Sequence, residues 1–262
     1  MHDLFEKSKL LSAFSDTKKC GEIFWLDCID STNTHALKLL SEGIQAPFVV
    51  VAREQNAGKG RLSRKWYAQP DSTLCMSVAV SMSDDSNLLR SFTVRVANAV
   101  CSALEKELSA KLFIKWPNDI YSEQGKKIAG MLTELKIEKN KKTIVLGIGI
   151  NCFSPKVEVD ASIIETMGVL EDVANRDFSM CEIAKIVASA IVDASKETSI
   201  ENVASNFSKY DWLKGKEIQV DTGSSMLSGL ASGIVDCGEL LLMLENGDIH
   251  QIPALEASIV KK

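Results

Sequence analysis

The hydrophobic pattern along the chain divides into short continuous runs, two long helical stripes and a tail of brief alternating segments. The runs at 23–29 (IFWLDCI), 47–52 (PFVVVA) and 74–82 (LCMSVAVSM) have strand length, and β-branched residues dominate the second. Between the first two, Asp30-Ser31-Thr32-Asn33 offers N-cap residues ahead of Ala36, Leu37, Leu39 and Leu40, which predicts a helix. Leu88, Phe92, Val96, Val100 and Leu104 recur at helical spacing and predict one long amphipathic helix over 87–108. A short strand at 112–115 is ended by Pro117, with a turn at Asn118-Asp119. Segments 127–137 and 143–150 read as a hairpin around the charged turn EKNKK. Residues 152–175 carry no assignable pattern. Ile183, Ile186, Val187, Ala190 and Ile191 predict a helix over 180–194, and a further helix is expected over 200–213.

From Gly215 onward the pattern changes to short alternating strands, with turns at Thr222-Gly223, Cys237-Gly238 and Asn246-Gly247. This predicts a small antiparallel barrel. The expected organisation is α+β: an N-terminal arm (1–21), a mixed β-sheet domain packed with helices (22–213) and a small barrel (214–262).

Composition narrows the class. The chain has 262 residues, long enough for a large domain plus a smaller one, and is 45% hydrophobic and 25% charged, as globular proteins are. A net charge of −5 argues against nucleic acid as a bulk partner. The seven cysteines form no C-x-x-C pair, which speaks for free thiols and a cytoplasmic location. The first twenty residues lack the apolar core of a signal peptide, and no run approaches the roughly 18 residues of a membrane span.

Against this acidic background the segment 54–67 (EQNAGKGRLSRKWY) stands out. Lys59, Arg61, Arg64 and Lys65, with Arg53 just upstream, surround Gly58 and Gly60, and Trp66 and Tyr67 follow. Glycines admit an anion close to backbone N–H groups, and arginines donate in pairs to phosphate or carboxylate oxygens. Taken alone, the segment fits a solvated basic loop equally well. Three other clusters accompany it: Lys115-Trp116-Pro117-Asn118-Asp119, Lys126-Lys127-Ile128-Ala129-Gly130-Met131, and Gly147-Ile148-Gly149-Ile150-Asn151. No P-loop is present. His2, His35 and His250 stand in unrelated contexts, so a histidine-assisted nucleophile has little support. What remains is a site that works by charge and positioning.

The order of these pieces resembles the biotin protein ligase family. The resemblance rests on Ser31-Thr32-Asn33, the loop from Gly58 to Trp66, Lys-Trp-Pro-Asn-Asp at 115–119, Lys127 to Leu132, and the Gly-x-Gly-x-Asn segment at 147–151. It covers about residues 22–260, and the C-terminal barrel looks like the family's SH3-like domain. The resemblance implies a biotin–[acetyl-CoA-carboxylase] ligase, which forms biotinyl-5′-AMP from biotin and ATP and passes the biotin to a lysine of a biotin carboxyl carrier protein. It implies ATP with Mg²⁺, biotin as substrate and no tightly bound cofactor.

Residue by residue, the resemblance assigns Ser31, Thr32, Asn33, Gln55, Gly58, Lys59, Gly60, Arg61, Lys127 and Gly130 to biotin. It assigns Arg64, Trp66, Lys115, Asn118, Asp119 and Asn151 to ATP, and Asn118 and Asp119 also to Mg²⁺. Lys127, Arg61 and Lys115 take the catalytic roles. Lys59 stands where many members have Arg, and Ser63 where Gly is usual. No Trp lies between 152 and 211, where many members carry one. The N-terminal arm is too short for the helix-turn-helix of the repressor members, so no nucleic-acid partner and no membrane association are expected. A lipoate ligase is the alternative on the same fold. Family members are often homodimers, and the sequence leaves dimerisation open.

Overall fold

The computed structural model describes residues 5–156, 159–254 and 257–260. His2 and the ends of the N-terminal arm and the C-terminal barrel lie outside them. In chain order the elements are α1 (Lys7–Phe14), β1 (Glu22–Ile29), α2 (Thr32–Ser41), β2 (Phe48–Gln55), β3 (Thr73–Met82), α3 (Ser86–Leu108), β4 (Leu112–Lys115), β5 (Asp119–Ser122), β6 (Lys127–Glu138), β7 (Lys141–Asn151), α4 (Ala161–Ile164), α5 (Met180–Ser195) and α6 (Val203–Phe207). The tail adds β8 (Glu217–Asp221), β9 (Met226–Ile234), β10 (Leu240–Met243), β11 (Ile249–Ile252) and β12 (Ser258–Val260).

The first seven strands form one sheet in the order β1-β2-β3-β7-β6-β5-β4. β1 and β2 run parallel, joined through α2, and the remaining pairings are antiparallel. The continuous apolar run in β2 has a direct cause. Phe48 and Val50 pack with Ala36, Leu39 and Leu40 of α2 on one face. Val49 and Val51 join the main core with α3 and α5 on the other. A strand covered on both faces has no reason to alternate.

Helix ends are closed by their own sequence. The Asp85 side chain accepts from the N–H groups of Asn87 and Leu88 at the start of α3, and Ser179 accepts from Glu182 at the start of α5. Such caps contribute about 1 kcal/mol each.

Two sequence expectations change here. The Asn118-Asp119 turn is real, but Asp119 already begins β5, which pairs with both β4 and β6. The helix expected over 200–213 shortens to Val203–Phe207. Residues 210–212 instead run along the outer edge of β4, with Ile114 N–H donating to Tyr210 O at 2.6 Å and Trp212 N–H to Ile114 O at 3.0 Å. Backbone groups on an edge strand need partners, and this segment supplies them. Trp212 then packs edge-on to Phe113 and stacks on Tyr121.

The tail forms a five-stranded antiparallel sheet, β11-β10-β9-β8-β12, as the small SH3-like barrel requires. It is tied to the large sheet by the Trp116 indole, which is fully buried and donates to Gly238 O at 2.9 Å. Arg90 pairs with Glu239 beside it at 2.9 Å. The Trp of the Lys-Trp-Pro-Asn-Asp motif is therefore the fastener between the two sheets.

Candidate active site

One cleft collects the motifs. It is lined by Ser31, Thr32 and Asn33 at the start of α2, Gln55 at the end of β2, the basic loop from Lys59 to Trp66 apart from Ser63, the turn 115–119, Lys127 and Gly130 to Leu132 of β6, and Gly147 to Gly149 of β7. Ser258 and Ile259 of β12 close one side.

The floor is built by register. Gly130 and Gly149 are directly paired across β6 and β7. The Trp66 indole lies on this flat patch. A Cβ at Gly149 would stand 2.2 Å from Trp66 Cε2, and one at Gly130 would be 3.1 Å from both Trp66 Cζ3 and Lys127 Nζ. Any side chain at Gly149 would displace the ring. The indole N–H is buried and, among the described residues, has no hydrogen-bond partner.

One end of the cleft is polar, buried and neutral at its surface. Ser31, Thr32 and Asn33 are all nearly inaccessible. Thr32 donates through both its backbone N–H (2.7 Å) and its hydroxyl (2.9 Å) to Gln55 Oε1. Two donors on one oxygen fix the Gln55 amide, so its NH₂ is the end left for other partners. With its proton on Gln55, Thr32 Oγ1 keeps acceptor capacity. The pocket end thus offers a hydrogen-bond acceptor beside a donor.

The other end is cationic. The loop folds as a miniature hairpin: Trp66 N–H donates to Gly58 O, Gly60 N–H to Arg64 O, and Lys59 bridges Lys65. Its tip is Arg61 to Arg64, with Arg64 N–H donating to Arg61 O and Leu62 and Ser63 at φ of 53° and 59°. Two central residues with positive φ give the turn that matches hairpin twist, ordinarily made with Gly or Asn. Ser63 holds that conformation against the preference of an L side chain.

Lys127 pairs with Asp119 at 2.7 Å and stands 5.5 Å from the Trp66 ring centroid. Its backbone is clamped at the root of β6 by Thr166 O and Gly168 N–H, and the ion pair with Asp119 holds its ammonium in the cleft. Lys115 lies over the Tyr121 ring at 5.3 Å, and burial pushes the Tyr121 phenol up to about 12. Lys59 reaches Thr34 Oγ1 at 3.0 Å.

The cleft brings most of the expected residues together, and several of them also make contacts within the protein. Arg61 donates to Ala254 O (2.5 Å), Ala257 O (3.0 Å) and Asn118 Oδ1 (3.3 Å), so its guanidinium hooks the loop to the C-terminal sheet. Burial pulls it below its ordinary value, with Asp119 opposing that shift and Arg64 adding to it. Asn151 does not line the cleft. It is buried, and its amide donates to Lys127 O and Gly168 O, both at 3.2 Å, so it braces the Lys127 clamp. Gly58 lies behind the lining, where a Cβ would meet Trp66 O at 2.6 Å.

Asn33 lines the cleft, yet its amide is spent within the protein: Nδ2 donates to Glu134 Oε2 at 2.6 Å, and Oδ1 accepts from Ser77 at 2.6 Å. A Cβ at Gly147 would be 2.3 Å from that Oδ1, which explains the first glycine of the Gly-x-Gly-x-Asn segment. The metal assignment meets the same difficulty. Asn118 donates to Met131 O and accepts from Arg61, while Asp119 faces Lys127. No cluster of three metal-ligating side chains exists among the described residues.

Arg53, counted with the basic loop, forms two hydrogen bonds to Asp71 outside the cleft. Lys65, Leu62, Met131, Ile148 and the two β12 residues line the cleft without having been assigned a ligand. For Ser258 and Ile259 no local signal exists, because they arrive only when the C-terminal sheet docks.

Residues 25–151 match the model of the biotin/lipoate A/B protein ligase family. The bifunctional ligase/repressor BirA of Bacillus spizizenii is 35% identical over 130 residues, 49% of this chain and 40% of that protein. The biotin–[acetyl-CoA-carboxylase] ligase of Paracoccus denitrificans is 28% identical over 239 residues, 87% of this chain and 96% of that one. Among solved structures, the biotin protein ligase from Aquifex aeolicus in complex with biotin and ATP superposes with a TM-score of 0.77 at 26% identity, covering 92% of this chain and 100% of that chain. The chain spans about two-fifths of the length of the Bacillus relatives it matches.

Proposed function

We propose, from the match of residues 25–151 to the biotin/lipoate A/B protein ligase family, that the chain is an ATP-dependent biotin ligase that biotinylates a carrier-protein lysine. The observation that carries this reading is the two-ended cleft. A neutral pocket with an acceptor beside a donor, at Thr32 and Gln55, suits the N–H and C=O of a ureido ring. The cationic end at Arg64, Lys115 and Lys127 suits a carboxylate meeting a triphosphate.

In this mechanism the biotin carboxylate oxygen attacks the α-phosphorus of ATP. A new P–O bond forms, the bond to the β-phosphate bridging oxygen breaks, and pyrophosphate leaves with that electron pair. The amine of the acceptor lysine then attacks the acyl carbon, AMP departs, and the amine proton passes to solvent. No protein nucleophile is needed, in keeping with a cleft that offers cations and shape. Lys127, clamped at the root of β6, neutralises the carboxylate and the acyl-phosphate oxygen. Lys115 and Arg64 take the ATP phosphates, which bring Mg²⁺ with them. Trp66 covers the glycine floor and walls the reacting atoms from water.

The test is pyrophosphate release with MgATP and either biotin or lipoate. Release with biotin alone is expected. Release with lipoate alone would move the chain to the other substrate of its family, and release with neither would refute ligase activity. Transfer is checked by labelling a biotin carboxyl carrier domain.

A further inference from the structure

Glu134 belongs to none of the motifs, yet it bonds directly to a residue at the polar end of the cleft. It stands half-buried on β6, and its Oε2 accepts from Asn33 Nδ2 at 2.6 Å. Leu132 O takes a second, longer bond from the same nitrogen at 3.3 Å. A carboxylate only accepts, so the Asn33 amide must turn its NH₂ toward Glu134 and its oxygen toward Ser77. Ser77 lies on the interior strand β3 with no exposed surface. Its hydroxyl has one proton and two acceptors in reach: Asn33 Oδ1 at 2.6 Å and Thr32 Oγ1 at 2.7 Å. The destination of that proton decides what Thr32 shows to the cleft. Given to Asn33, it leaves the Thr32 lone pairs open. Given to Thr32, it consumes one of them, and the Thr32 proton is already on Gln55.

We propose that Glu134 is a positioning residue for recognition of the ureido ring: by orienting Asn33 it draws the Ser77 proton away from Thr32 and keeps Thr32 Oγ1 an acceptor for a ligand N–H. The relay runs Glu134, Asn33, Ser77, Thr32, and no member but Thr32 needs to touch the ligand. It rests on the biotin reading above. A residue with no ligand contact therefore sets the hydrogen-bond polarity of the pocket, because a buried hydroxyl with one proton cannot serve two acceptors.

The experiment measures biotin and ATP affinities separately, by calorimetry on the full chain, for wild type, Glu134→Gln, Ser77→Ala and the double variant. The amide that E134Q introduces can donate to Asn33 Oδ1 and so permit the Asn33 amide to reverse. Ser77 then accepts from Asn33 and gives its proton to Thr32. The expected result is a biotin Kd raised about tenfold in E134Q, the size of one lost ligand hydrogen bond, with ATP affinity and thermal midpoint unchanged. Adding Ser77→Ala to E134Q removes the misdirected proton and brings biotin affinity back to within about threefold of wild type. A purely structural role would make the double variant worse than either single one. An unaltered biotin Kd in E134Q, an equal loss of ATP affinity, or failure of S77A to restore binding would each overturn the relay. Wild-type protein that binds no biotin would overturn the underlying reading and the relay together; wild-type binding with an undisturbed E134Q overturns the relay alone.

Discussion

The two ends of the cleft hold their side chains by opposite means. At the Thr32–Gln55 end each polar group is bonded to another protein group, from half-buried Gln55 through buried Thr32, Ser77 and Asn33 to half-buried Glu134. At the loop end Lys59, Arg64 and Lys65 are exposed, and the loop is shaped by three backbone hydrogen bonds and a turn that sets Leu62 and Ser63 at positive φ. A rigid, desolvated network discriminates between ligands because any mismatch strands a buried group. A basic hairpin on the surface suits electrostatic capture, which tolerates variation in exact geometry. On the proposed reading, selectivity and charge neutralisation are placed on different scaffolds within one cleft, joined by Lys127 and the glycine floor.

This contrast is open to attack at several points. The largest effect is expected at the junction. Lys127→Ala should reduce adenylate formation at least about a hundredfold, the scale of losing a preorganised charge, with biotin-dependent pyrophosphate release as the readout. Wild-type release would remove Lys127 from the site. Gly149→Ala comes next. Its Cβ would stand 2.2 Å from the Trp66 ring, so the indole must leave the floor, and biotin affinity should fall about tenfold or more. Retained affinity would show that the ring does not wall the ligand.

Arg61→Ala should release the hook to Ala254 and Ala257 and let the adenylate escape faster, by roughly tenfold, with a smaller effect on ATP binding. An unchanged adenylate off-rate would confine Arg61 to joining the two sheets. The smallest effect is expected at Arg53 and Asp71. The Arg53 guanidinium holds the Asp71 carboxyl below its ordinary value. The pair therefore stabilises the protein above about pH 4, and its contribution is lost as pH falls through the lowered folded value. Asp71→Asn should flatten stability over that acid range by less than about 1 kcal/mol and leave pyrophosphate release unaltered. A change in release would bring Arg53 back into the cleft.

Much of this was legible in the linear chain, for physical reasons. Strands covered on both faces read as continuous apolar runs, and long helices display a 3.6-residue stripe, so β2, β3, α3 and α5 were visible. Glycines within the strand at 147–151 imply close approach, expected of a ligand, and in the structure protein side chains take that place: Asn33 over Gly147 and Trp66 over Gly149. The helix expected over 200–213 failed because a local apolar pattern does not know that the edge of β4 needs backbone partners. The family resemblance assigned Asn151 to ATP. Only its neighbours reveal that Lys127 O and Gly168 O already occupy it.

Local sequence, then, determined the elements, the family resemblance and the chemical character of the loop, because helix and strand periodicity, turn chemistry and charge are properties of neighbouring residues. The tertiary structure alone decided which cations face the cleft, which of them hooks the C-terminal sheet, and that Glu134 stands behind Asn33. Those outcomes depend on strand register and sheet docking, which bring together residues as distant in sequence as Arg61 and Ala257, and no local pattern encodes a contact of that range.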